Sequence, residues 1–362
     1  MTPPSCEDAA ATQDTVTQLV AAVRGARRLV WAAREVEVGA HDDERPGKPA
    51  CAWDDPDARQ ALVSGLVGDA LAVLAAVNDL GLGGGQAEAV ALLALVAGQD
   101  VEPGERPGTF RSARRAAPDR VISTVDPQAR HTRTASARKR DGYRAHVAAE
   151  PEPGLFTACA LTAANAPDGP AGVELVSGEE PGLEVLGGSA YGSGATRAAL
   201  TAAAHVQTVK PLPLASAVPG GFTKHDFAID PQAGTVGCPA GWKAPITASG
   251  QASFGRRCAR CPLRQRCTTA SGGRTIGVHP HEDELRAARR RAATRGFQDS
   301  YRRWRPMVGR PVAWLVADGC RRVPYRGIQR NHIWLSVRVA ALNLRRLRTL
   351  GLTRQHGAWV LA

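Results

Sequence analysis

Residues 121–194 constrain the fold more than any other stretch, because short β-rich runs and one helical segment follow each other in a telling order. VISTVD (Val121–Asp126) is rich in β-branched residues and ends on a carboxylate. GYRAHVAAE (Gly142–Glu150) and LFTACALTA (Leu155–Ala163) flank Pro151, Glu152, Pro153 and Gly154, a turn-forming cluster that predicts a hairpin. Asp168–Gly178 reads as a short helix, and LEVLGGSAYGSG (Leu183–Gly194) as a further strand that ends on glycines. Three meandering strands, a crossover helix and a parallel strand predict an α/β fold with a mixed sheet flanked by helices. Asp126 ends the first strand, whereas Gly188 stands at the corresponding end of the later one.

The segments on either side extend this plan. Residues 1–98 predict a helical region: helical spacing over Thr15–Val38, a polar loop over Ala40–Trp53, a helix over Ala58–Leu80 opened by Asp55 and Pro56, and a third over Gln86–Val96. Asp69 interrupts the most apolar run, Ala61–Val77, which fits a buried helix better than a membrane span. Residues 99–120 read as a Pro/Gly/Arg-rich linker and 121–210 as the first part of the sheet core. Residues 211–277 form a glycine-rich, short-stranded insertion, and 278–362 an arginine-rich helical return to the core. Within that return, Pro306 and Pro311 are expected to split a helix over Phe297–Ala317. The last helix, Ile333–Leu350, should turn Leu335, Val339, Leu342 and Leu347 inward and Arg338, Arg345, Arg346 and Arg348 outward.

Charge is unevenly placed. The net +12 resolves into +19 from Arg256 onward, with 24 arginines against 5 acids, and −7 before it. Such a basic half calls for a polyanion, most simply nucleic acid. Arg130, Arg133, Arg138, Lys139 and Arg140 crowd what reads as a loop after Asp126, where a phosphodiester would approach.

Of eight cysteines, Cys238, Cys258, Cys261 and Cys267 form a set whose C-x2-C knuckle suits a structural zinc ion. Four unrelated buried thiols are the alternative reading. Residues 1–13 contain neither a basic nor an apolar signal region, so a cytoplasmic protein with reduced thiols is expected.

Several ordered motifs now carry a resemblance. VISTVDPQARH (Val121–His131), DGYRAHV (Asp141–Val147), VLGGSAYGSG (Val185–Gly194), CARCPLRQRC (Cys258–Cys267), RPMVGRPVAWL (Arg305–Leu315), PYRGIQRN (Pro324–Asn331) and AALNLRRL (Ala340–Leu347) resemble the DDE transposases of bacterial insertion sequences. The resemblance implies an RNase-H-like core, double-stranded DNA as substrate, a homodimer on paired DNA ends, and nicking and strand transfer by two Mg2+ or Mn2+ ions held by two Asp and one Glu. Carried over by motif, the first Asp falls on Asp126, the second on Gly188 and the Glu on Gly309. Arg130, Arg133, Arg138, Lys139, Arg140, Arg144, Arg326, Arg330, Arg345 and Arg346 become the expected DNA contacts. A truncated, degenerate and catalytically inactive copy is expected, since glycine offers no oxygen ligand. Substitution of the lost acids by Glu184, Asp299 or Asp318 is the less favoured outcome. The rival reading is a non-catalytic DNA-binding derivative, such as an inhibitor of transposition.

Overall fold

A computed structural model describes residues 6–41, 49–113, 115, 117–133, 139–317 and 319–361. The chain divides into two compact units, one of residues 1–144, 161–166 and 323–334, the other of residues 145–160, 167–322 and 335–362.

The first unit is built on helices Cys6–Leu29, Trp31–Arg34, Pro56–Val77 and Gly84–Gly98. Asp55 caps the third of these through Asp57 N (2.9 Å), with Pro56 in the first turn, as its sequence demands. Among the described residues that helix alone is long and apolar enough to cross a membrane. Its Val63, Leu66, Val67, Ala70, Val73 and Val77 are instead buried in one core with Val16, Leu19, Val23 and Leu93. Burial of such side chains contributes about 1.5–3 kcal/mol each.

Val121–Asp126 is not a strand. The side chain of Gln99 takes both backbone groups of Val121: Oε1 accepts from its N–H (3.0 Å) and Nε2 donates to its carbonyl (2.9 Å). Gln99 also donates to Gln18 (2.7 Å), so Val121 is anchored to the helical core and its backbone groups cannot join a ladder. Arg130–Arg133, expected within a loop, is a strand that pairs antiparallel with the start of Lys139–Glu150, Arg130 opposite Gly142 and Arg133 opposite Lys139. Leu155–Ala163 appears as its pattern predicted, while the strand expected over Gly142–Glu150 begins earlier, at Lys139, because the expected loop residues pair with Arg130–Arg133; the three strands form one sheet.

In the second unit Glu184–Gly187 pairs in parallel with Val206–Val209 across the helix Gly194–Ala202. The two form a sheet of their own, so the protein is a mixture of helices and small sheets, and no single mixed sheet runs through the described residues. Within residues 211–277 hairpins surround a small core of Phe227, Ile229, Val236, Phe254 and Ile276.

Arg295–Val316 is one continuous helix in spite of Pro306 and Pro311. An interior proline costs about 3 kcal/mol. Packing offsets it here: Pro311 and Leu315 are buried, and Arg338 donates to the carbonyls of Trp314 (3.1 Å), Leu315 (2.7 Å) and Ala317 (3.0 Å), capping the helix end. Arg338, expected to face outward, is therefore a helix cap. The last helix runs Ile328–Thr349, with Leu335 and Val339 buried as predicted.

Candidate functional site

Asp126 is half-buried and firmly held. Its Oδ1 accepts from the Tyr143 hydroxyl (2.6 Å) and from Gly327 N (3.2 Å), while Gly327 N also reaches the Tyr143 oxygen (3.1 Å). Burial, and then the Asp126 carboxylate, push the Tyr143 hydroxyl well above the ordinary phenol range, so it stays a donor. Gln128 Oε1 accepts from Ile328 N (2.7 Å), so the PQ pair after Asp126 and the start of the last helix grip each other.

Asn331 makes this possible. It is fully buried; Oδ1 accepts from Tyr325 N (3.1 Å), and Nδ2 donates to the carbonyls of Tyr325 (2.7 Å) and Gly327 (2.8 Å). Gly327 has φ +85°, and a Cβ there would come within 3.2 Å of Gln128 Oε1. Only glycine suits the turn that aims its N–H at Asp126. The sequence marked the PYRGIQRN motif without disclosing that its glycine and asparagine serve the acid.

The second unit contains the two glycines at which the resemblance leads one to expect acids. Gly188 and Gly309 both line one cavity of about 630 Å³, together with Arg305, Glu184 and Tyr191. Glu184 is already occupied, accepting from Thr208 and from Ser300 (3.2 Å). Asp299 pairs with Arg295 (3.6 Å) and Arg302 (3.7 Å) on its own helix, and Asp318 lies outside the described residues. Asp141, on the strand opposite His131, pairs with that imidazole.

The expected DNA contacts separate into two groups. Arg130 is spent on Asp119 (2.7 Å) and on the carbonyls of Pro127 (2.6 Å) and Ala129 (2.9 Å). In return Arg130 and Asn165 hold the Asp119 carboxyl below its ordinary range. Arg144 donates to Ala166 O (3.0 Å) and Thr132 Oγ1 (2.7 Å), and Arg346 to Pro153 O (2.6 Å). Arg140, Arg326, Arg330 and Arg345 are exposed. Arg138 and the side chains of Arg133 and Lys139 lie outside the described residues.

Cys238, Cys258, Cys261 and Cys267 line one small cavity of about 20 Å³. A turn closed by Gly241 N on Cys238 O (2.9 Å) and the knuckle closed by Cys261 N on Cys258 O (3.4 Å) present them. Burial pushes the Cys267 thiol up, and Arg274 pulls against that shift. Cys51, Cys159 and Cys320 are not in disulfides either. Among the described residues no group of three or more His, Cys, Asp or Glu stands close enough to hold a metal ion.

Residues 238–348 match the family model described as a transposase DDE domain. The match makes this part of the chain similar to a transposase DDE domain and covers less than half of the chain. It begins at Cys238 and includes the other three cysteines of the set, Gly309 and PYRGIQRN, but neither Asp126 nor Gly188. No curated protein and no solved structure matches the chain.

Proposed function

We propose that the chain is an insertion-sequence transposase of RNase-H-like ancestry that binds DNA and has lost DNA nicking and strand transfer. One observation carries the loss: two of the three acid positions are glycines, and both glycines line a single cavity with an arginine. Two hard cations roughly 4 Å apart need several converging oxygen ligands. Asp126 alone does not fit that need, and its Oδ1 already accepts two hydrogen bonds. Glu184 and Asp299 are engaged elsewhere. No catalytic step is therefore assigned to the cations here.

The test is cleavage of duplex DNA bearing the terminal repeats of the element, with Mg2+ or Mn2+ supplied. No nicking and no strand transfer are expected from the unaltered chain. Robust cleavage would refute the assignment of Gly188 and Gly309. The exposed Arg140, Arg326, Arg330 and Arg345 support the retention of DNA binding, and a homodimer on paired ends belongs to the same proposal.

The cysteine set enters this reading as a structural zinc site. Four thiols on one cavity are its support, in a subdomain whose buried core holds only nine residues. A tetrahedral zinc would draw the thiols closer than they now stand. One zinc per chain by elemental analysis is expected, lost together with the fold of the insertion in Cys258→Ser with Cys261→Ser. A metal-free chain with an intact insertion overturns it.

A further inference from the structure

Arg305 stands between the two glycines. A Cβ built on Gly188 would lie 3.9 Å from Arg305 Nη2, and one built on Gly309 would lie 4.0 Å from Nη1 of the same guanidinium. Nothing else crowds either position. Gly309 is four residues along the same helix from Arg305, so the two share a face. Gly188 opens the short turn Ser189–Tyr191 after the strand Glu184–Gly187.

We propose that Arg305 is a positioning residue, a fork that offers one amino group to each of these two places and holds any carboxylate set there. The planar guanidinium matches carboxylates in this way, and charge-assisted contacts of the kind are the strong ones. An aspartate at 188 reaches Nη2 directly, because its carboxylate begins one bond beyond Cβ; a glutamate at 309 reaches Nη1 along the helix face. The inference rests on reading 188 and 309 as the acid positions, but its physical content needs only the geometry. In the present chain the fork has neither partner. The cavity thus offers a cation a positive neighbour and two hydrogen atoms in place of two carboxylates.

The experiment compares Gly188→Asp with Gly309→Glu, singly and together, in the unaltered and Arg305→Gln backgrounds. Thermal unfolding is followed as a function of pH, and Mn2+ binding by calorimetry. The other titratable groups lining the cavity are Glu150, Glu179, Glu184 and Tyr191. At pH 7 the double variant is expected to melt roughly 2–4 °C above the parent. Carboxylates beside a guanidinium titrate below their unfolded range of about 4, so this gain is present above that range and disappears as pH falls through the lowered folded values. In the Arg305→Gln background the gain and its pH profile should vanish, and Arg305→Lys should recover only part, having charge without the fork. An equal gain in both Arg305 and Arg305→Gln backgrounds overturns the proposal.

Mn2+ binding separates this claim from the one beneath it. An Arg305-dependent gain without Mn2+ binding upholds the fork and refutes the reading of 188 and 309 as metal-ligand positions. Mn2+ binding that needs both acids, together with an equal stability gain in the Arg305 and Arg305→Gln backgrounds, upholds that reading and refutes the fork.

Discussion

Binding to duplex DNA is expected to weaken about 100-fold between 50 and 200 mM salt. The four exposed arginines, Arg140, Arg326, Arg330 and Arg345, set that expectation. Each phosphate neutralised releases condensed counterions, so four contacts correspond to a log–log slope of roughly −3 to −4. Replacing any one of the four by alanine should shallow the slope by about 1. Arg130→Ala should leave the slope alone and lower stability instead, since its guanidinium is committed to Asp119 and two carbonyls. Fluorescence anisotropy across a salt series measures both. Binding that is absent, or indifferent to salt, removes the DNA reading.

Asn331→Ala is expected to lower unfolding free energy by about 2–4 kcal/mol, because it strands the Tyr325 N–H and carbonyl and leaves the Gly327 carbonyl only the long bond from the backbone N–H of residue 331 (3.5 Å). The fully buried amide holds the Tyr325–Gly327 turn, and that turn supplies the N–H to Asp126. Asn331→Asp should be nearly as harmful, since it keeps the acceptor but loses both donations and buries a charge. Urea unfolding reads the loss. A change below about 1 kcal/mol would mean that the turn stands without its amide.

Elements read from the sequence held where local chemistry and packing agreed. Asp55 and Pro56 start a helix because cap and ring both suit a first turn. Pro153 and Gly154 turn a hairpin whose flanking runs have a single plausible use. Elsewhere distant partners overrode local preference. Val121 has the residues of a strand, but the Gln99 amide holds its backbone first. Pro306 and Pro311 would break an isolated helix, and Arg338 from the last helix helps keep it whole. The motif singled out Asp126 as an expectation, whereas Tyr143 as its partner and Asn331 as the brace of the Gly327 turn emerged only in three dimensions.

By itself the sequence determined the side chains available to this protein: an acid at 126, glycines at 188 and 309, four cysteines between 238 and 267 and a strongly basic C-terminal part. These are matters of composition and position, and no folding restores an oxygen that a side chain lacks. Tertiary structure decided how that chemistry is deployed. It turned Arg130, Arg144, Arg338 and Arg346 from apparent surface charge into internal braces, and it brought Gly188 and Gly309 to the two arms of one guanidinium. The physical reason is that a hydrogen bond or charge contact depends on distances of 3–4 Å between residues that the chain holds far apart.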